Sequence, residues 1–455
     1  MRDLMFAILL VPLLFMSLRN GFVAYLLWAW AGLIAIETYM YGFMIGHSYV
    51  QLFAIIALAH FLLKKDPERV PFSPDHTTVL LICFAVHVGL CALFAYDGHP
   101  RTSEMASNML KTVLFCALMP MIITTRLRLH ALLLVVVLGT AFHGMVDGLK
   151  FVASGGHHLA RGIAKFGDNN HYAMVLVMVI PLLVYLYRFS GDRRIQLGFL
   201  GMIPLTVFAV IATQSRGGFV ALAVVGLWFV FTSKRKYIGV ISVLLCVGLV
   251  MNFAPEDWFA RMQTINTANE DGSLQQRFGA WQVNSAIALQ NPIFGGGPLV
   301  SEIGPVWNIY RDAQGFLGFL PMDLNGLPGR GRAVHSIYFQ AMGDLGFVGF
   351  FLLLAILANA FITARVVIQR CKAVGSQLDW ALSLAQMLKL SLLAYMVAGA
   401  LLSALYFELP YMLIMLLQVL NLQVEKGSVT STQAGPGFVG IRRRNKPSFK
   451  PGASH

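Results

Sequence analysis

Residues 170–232 read, in succession, NHYAMVLVMVIPLLVYLYR, FSGDRRI, QLGFLGMIPLTVFAVIAT, QSR and GGFVALAVVGLWFVFT. The first, third and fifth segments are apolar runs at 170–188, 196–213 and 217–232, and the polar connections between them carry Arg193, Arg194 and Arg216. A helix that crosses a bilayer needs ~20 mostly apolar residues, so the stretch reads as successive spans joined by short turns. The pattern continues in both directions, with further runs near 4–17, 22–39, 46–63, 78–96, 107–124, 130–152, 236–253, 337–364, 386–405 and 409–423. The whole chain agrees: of 455 residues 57% are hydrophobic and only 12% charged, and the mean hydropathy is +0.69. Soluble domains carry about 25% charged residues. Half that amount cannot coat several soluble cores, which excludes a soluble enzyme, a disordered scaffold and a secreted disulfide domain. The expected fold is an all-α polytopic integral membrane protein with about twelve transmembrane helices.

The runs divide the chain. Residues 1–253 form a first bundle, 254–336 one large polar loop with short helices, 337–424 the last transmembrane helices, and 425–455 a basic tail whose Gly, Ser and Pro content predicts disorder. The formal charge of +13 does not point to nucleic acid, because most basic residues sit in short loops between apolar runs. Lys64, Lys65 and Arg69, then Arg126 and Arg128, then Arg188, Arg193 and Arg194, then Lys234, Arg235 and Lys236, then Arg365, Arg370 and Lys372 mark alternate loops as cytoplasmic. The loops at 97–106, 153–169, 214–216 and 254–336 then face outward together. Either the short first run or its neighbour is read as not fully crossing, which gives twelve spans and places both ends in the cytoplasm; if every early run crosses, the count is thirteen and residue 1 lies outside. The five cysteines lack metal-ligand spacing and read as small core residues.

Outward loops should be poor in Arg and Lys, so the cations found there need a reason. Thr213-Gln-Ser215-Arg216-Gly217-Gly218 is a connection too short to carry Arg216 far from the membrane. Asp271 to Trp281 opens a helical pattern that ends at Asn291-Pro292, with Arg277 and Trp281 on one face. Arg332-Ala-Val-His335-Ser336-Ile-Tyr338 lies where the long loop re-enters the membrane, and Lys165-Phe-Gly-Asp168-Asn169-Asn170-His171 precedes the run at 170. Each has a plain structural reading: a snorkelling arginine, a ring-stacked arginine, an interfacial histidine, a helix cap. All four are expected at one face and one depth, where two arginines and a histidine would form an anion site beside a titratable group. His143, Asp147 and Lys150 are expected to neutralise one another on one helix face.

These motifs, with Pro292, Gly295-Gly-Gly297 and Gly343-Asp-Leu-Gly346-Phe347, resemble the O-antigen ligase and polymerase superfamily. The opening Met1-Arg2-Asp3-Leu4 and Asp168-Asn169-Asn170 resemble the subset of exosortase-associated O-glycosylation ligases. The resemblance implies a glycosyltransferase of the GT-C-like class in a bacterial inner membrane, with its active site on the periplasmic side. The ligases move a finished glycan from an undecaprenyl diphosphate carrier to lipid A–core during lipopolysaccharide assembly. Carried over, it implies that Arg216 and Arg277 act at the diphosphate and His335 as general base. Looser matches imply substrate contacts at Lys165, Asn169, Asn170, Ser215, Gly217, Trp281, Arg332, Ser336 and Tyr338. No cofactor, metal or nucleic-acid partner is implied; membrane lipids are. An O-antigen polymerase, an O-glycan ligase acting on protein or exopolysaccharide, and a flippase for lipid-linked oligosaccharide are the alternative readings.

Overall fold

A computed structural model describes residues 2–40, 42–64, 66, 68–96, 98–163, 168–232, 248, 272–319 and 330–425. The predicted span at 236–253, Lys165 and nearly all of the basic tail lie outside the described residues. Within them every regular element is helical: α1 Arg2–Arg19, α2 Gly21–Ile34, α3 Tyr49–Leu63, α4 His76–Leu93, α5 Pro100–Ile122, α6 Arg126–Ala153, α7 Asn169–Phe189, α8 Arg193–Ala212, α9 Arg216–Thr232, α10 Gly272–Gln290, α11 Gly304–Tyr310, α12 Ile337–Val374, α13 Asp379–Gly399 and α14 Glu408–Glu425. Among the described residues seven helices are long and apolar enough to cross a membrane, and α1, α2, α3 and α9 are shorter apolar helices.

Polar residues start the helices where the apolar runs meet a turn. Asp75, Thr125, Asp168 and Asp192 accept hydrogen bonds from the first backbone N–H groups of α4, α6, α7 and α8, the groups a helix leaves without an internal partner. Capping lengthens elements beyond their apolar run: α5 begins at Pro100 behind the His99 cap, ahead of the run at 107. The bundle wraps around α7 and α14, whose side chains from Tyr172 to Leu183 and from Leu409 to Leu420 are buried. Apolar residues such as Leu63, Leu93 and Ile195 remain exposed on the periphery, as expected where lipid is the solvent.

Two ends of the bundle are distinguished by their chemistry. At one, Arg128 in the first turn of α6 pairs with Asp66 after α3, and Gln423 of α14 donates to the carbonyls of Ile123 and Thr125. Arg370 of α12 meets Glu425, and Arg126 covers Trp380 at the start of α13. This is the arginine-rich end. At the other end α6, α8 and α13 finish and α7, α9 and α14 begin.

α1 reaches between the two ends. Its end lies at the arginine-rich face, where the Leu18 carbonyl pairs with the His60 ring at 3.1 Å. Its start lies at the opposite face, where Phe6 approaches Tyr39 beside His143. The 18 residues of α1 rise about 27 Å at 1.5 Å each, and its apolar part, Phe6–Arg19, is shorter than the seven candidate spans among the described residues.

The described part of the long loop has its own apolar core, in which Ala280, Val283 and Ile287 of α10 pack against Val300, Trp307 and Tyr310. A break in α12 receives this unit. Gly346 has φ 66°, a conformation that only glycine adopts at low cost. Its neighbour Phe347 donates its N–H to the Pro292 carbonyl, while Gly296 and Gly297 donate to the carbonyls of Gly343 and Asp344. The Gly295–Gly297 stretch is thus a close backbone contact with α12. The Asp344 carboxylate locks it by accepting from the Val300 N–H at 3.1 Å and the Tyr406 hydroxyl at 3.1 Å.

Candidate active site

The four outward stretches converge on the start of α7. Asp168 caps that helix by accepting the N–H groups of Asn170 (3.0 Å) and His171 (2.8 Å). The same oxygen lies 3.0 Å from His171 Nδ1, and His171 Nε2 lies 2.9 Å from the Ser403 carbonyl. Both ring nitrogens thus face acceptors, an arrangement that needs a proton on each and so describes an imidazolium. The Asn169 amide donates to the Thr213 carbonyl at 2.7 Å and ties α7 to the α8–α9 turn. The Asn170 amide turns back to Asp168.

The α8–α9 turn is compact. Gln214 has φ 55°, and buried Ser215 accepts the Gly218 N–H at 3.1 Å, so its hydroxyl caps α9. A Cβ at Gly218 would lie 2.6 Å from Ala173 Cβ, which explains why α9 can press against the start of α7. Gly217 lies against Leu401. Half-buried Arg216 is the first residue of α9, set between these two contacts.

The strap at 330–336 brings His335 to the same place. Trp281 of α10 donates its indole N–H to the Val334 carbonyl at 2.9 Å and stacks on Phe339. Ser301 holds the Arg332 backbone on both sides, and the Arg332 guanidinium lies over Trp307 at 5.9 Å. His335 itself has φ 52°, a left-handed conformation costing on the order of 1–3 kcal/mol for a residue with a side chain. Its N–H donates to Ser403 Oγ at 2.7 Å. Ser403 therefore joins the two histidines, its carbonyl to His171 and its hydroxyl to His335. Among the described residues His335 Nδ1 and Arg332 Nε are buried without a hydrogen-bond partner. Ser336 is buried at the start of α12, and the Tyr338 hydroxyl donates to the Met396 carbonyl of α13.

Burial lowers the basicity of His335, and the nearby Arg277 charge lowers it further; Asp168 opposes this and His171 adds to it. His335 is thereby kept neutral at neutral pH. Burial pushes the Asp168 carboxyl up, but the His171 ring, the His171 N–H and the Asn170 amide together hold it well below the usual carboxylate range. A cavity of about 550 Å³ opens beside this cluster, with His171, Gln340 and Ser403 at its polar part and Trp28, Leu33 and Phe115 among its apolar walls. Leu299 separates it from an outer polar cleft of about 240 Å³ that holds His99, Arg101, Thr102 and Glu302. Burial raises the Glu302 carboxyl, against the charges of Arg101, 4.0 Å away, and His171. Among the described residues no three His, Cys, Asp or Glu side chains gather as a metal ligand set.

The structure thus brings Asn169, Arg216, Arg277, Trp281 and His335 to one face, turns Asn170, Ser215 and Tyr338 onto protein partners, and buries Ser336. His171, Ser403 and Glu302 were not singled out by the sequence reading. The spacing Asp168-x-x-His171 on a helical first turn was a readable signal for one of them; Ser403 and Glu302 carried none. Farther along the same face, Asp147 takes the Tyr172 hydroxyl (2.9 Å) and His158 (3.0 Å) as well as Lys150 (3.6 Å). The expected pairing within one helix is seen for Asp147 and Lys150, and His143 also lies 2.8 Å from the Tyr39 hydroxyl.

Residues 201–354 match the family described as O-Antigen ligase, and residues 1–191 match a family of unknown function (DUF5935). No curated protein matches the chain. The first match covers the α8–α9 turn, α10, the strap and the break in α12, the segments that gather around His335.

Proposed function

We propose that this chain, a member of the O-antigen ligase/polymerase superfamily, is a metal-independent inverting O-antigen ligase of a bacterial inner membrane. It would move a glycan from an undecaprenyl diphosphate carrier to lipid A–core at the periplasmic face. The observation that carries the reading is the environment of His335. A strained, half-buried histidine with a partnerless ring nitrogen faces the charge of Arg277, in the family's matched segment.

In this reaction the bond between the anomeric carbon and the diphosphate oxygen breaks, and a bond from that carbon to an acceptor hydroxyl oxygen forms. Negative charge develops on the departing diphosphate. Arg216 and Arg277 would stabilise it, since guanidinium forks stay protonated and bind phosphate oxygens bidentately. The acceptor hydroxyl would give its proton to neutral His335 as it attacks, a step worth typically 10²–10⁴-fold. Attack opposite the leaving group inverts the anomeric centre. Arg332 and Trp281 would hold the strap, and Asn169 the α8–α9 turn, in the geometry the donor needs.

Reconstitution of the purified full chain with an undecaprenyl diphosphate-linked glycan tests this reading. Lipid A–core, carrier-linked glycan and protein are offered as separate acceptors, with and without a chelator. Glycan on lipid A–core, unaffected by chelation and lost in Arg216→Ala, is the expected result. Longer glycan on the carrier, or glycan on protein, would make the chain a polymerase or a protein O-glycan ligase, the reading that the Asp168-Asn169-Asn170 resemblance favours. Recovery only with a divalent ion would overturn the metal-free mechanism.

A further inference from the structure

The arginine-rich end holds a second pocket, of about 240 Å³, between the α1–α2 junction, the end of α3 and the start of α6. Arg19, Lys64, Arg69 and Arg128 line it, with Asp66 as its one acid. Its charge is not balanced from within. Arg128, only 11% exposed, takes both nearby carboxylates, Asp66 at 3.0 Å and Glu68 at 2.8 Å. Among the described residues no ion pair is formed by Arg19, Lys64 or Arg69. Two of these three are pre-set: the Arg19 guanidinium lies over the Phe15 ring at 4.0 Å and that of Arg69 over the Phe61 ring at 4.6 Å. A guanidinium with its face on a ring presents its N–H edge, the edge that grips phosphate oxygens; Arg69 spends one N–H of that edge, at Nη1, on the Phe61 carbonyl, which fixes its orientation.

Exposed apolar residues flank the pocket's cations. Leu18 at the end of α1 and Leu62 and Leu63 at the end of α3 are 52%, 69% and 83% exposed. They adjoin the cations in sequence and lie on the two helices joined by the contact between His60 and the Leu18 carbonyl. A free anion would use only the cations. A molecule with a phosphate at one end and acyl chains at the other would use both surfaces.

We propose that this pocket binds one anionic phospholipid of the adjoining leaflet, its headgroup phosphate among Arg19, Lys64 and Arg69 and its chains along α1 and α3. The site is remote from His335 and independent of the reaction proposed above. Basic groups near a membrane surface each favour an anionic lipid by about fivefold, so removing two costs roughly 25-fold.

The test uses the purified full chain in neutral detergent, titrated with phosphatidylglycerol, phosphatidylcholine of the same chains, and inorganic phosphate. Lipid adducts are counted by native mass spectrometry and folding is followed by thermal melting. The wild type is expected to retain one phosphatidylglycerol where phosphatidylcholine is lost. Arg19→Gln/Arg69→Gln should weaken that binding by roughly 25-fold, and Arg19→Lys/Arg69→Lys should keep most of it. If the Gln pair does not fold, Lys64→Gln at its exposed position should still give about a fivefold loss. Equal retention of the two lipids, or undiminished binding by the Gln variants, overturns the proposal. Displacement of the lipid by equimolar inorganic phosphate overturns it in favour of a soluble anion.

Discussion

Replacing Ser403 by alanine isolates the device that holds His335. The change removes only the hydroxyl that accepts the His335 N–H at 2.7 Å and keeps the carbonyl that pairs with His171. A donor left without its partner in a buried setting costs about 1–3 kcal/mol. The left-handed backbone of His335, with φ 52°, then keeps its own strain on the order of 1–3 kcal/mol with less to oppose it. The strap should relax toward an unstrained conformation that withdraws the ring. At RT of 0.59 kcal/mol, 1–3 kcal/mol corresponds to a fall of about 5- to 150-fold in the population with the imidazole in place. Initial rates of transfer in the reconstituted system should show this fall in kcat. KM for the lipid-linked donor should stay near its wild-type value, because Arg216 and Arg277 are untouched. Ser403→Thr, which restores a hydroxyl, should recover much of the rate. An Ala variant with unchanged kcat, or with the whole loss in KM, would refute the assignment of Ser403 as the residue that positions His335.

His335→Ala should fold and lose transfer by roughly 10²–10⁴-fold. Because burial and Arg277 lower the His335 pKa, the neutral base persists below the ordinary value of about 6.5. The acid limb of the rate profile should therefore lie below that value, and in Arg277→Gln it should move up. Asp168→Asn keeps a capping oxygen, since Asn caps as well as Asp, and removes the counter-charge of His171. Since the folded pKa of Asp168 is depressed, its contribution is full above about pH 4 and is lost as pH falls toward the folded value. Melting curves of the two proteins should therefore differ at neutral pH and converge in acid. Gly218→Ala would set a Cβ 2.6 Å from that of Ala173, and such overpacking typically costs about 1–3 kcal/mol. A lower melting temperature checks it, and a melting temperature equal to wild type would show that α9 yields there.

Hydropathy alone was enough to state that this chain is a helical membrane protein. Lipid offers no hydrogen bonds, so each spanning segment must satisfy its own backbone, and a run such as 170–188 announces itself without reference to any neighbour. The alternation of Arg and Lys sorted the loops into two sets for the same local reason. It also made Arg216, Arg277 and His335 conspicuous as titratable groups at the face where cations are scarce.

Tertiary structure decided what local pattern could not reach. Ser403 sits in the connection between α13 and α14, far along the chain from both histidines it joins, and a serine there has no distinguishing sequence context. The strain at His335 accompanies the hold of Trp281 on Val334 and of Ser403 on the next residue, one contact made by α10 and the other by the α13–α14 connection. The course of α1 was equally hidden, because a short apolar run does not say which neighbours it meets. Its contacts are with Tyr39 near one end and His60 at the other. Burial and long-range hydrogen bonds arise only when distant segments meet, and they hold the His335 ring in a strained strap with its Nδ1 buried and, among the described residues, without a hydrogen-bond partner.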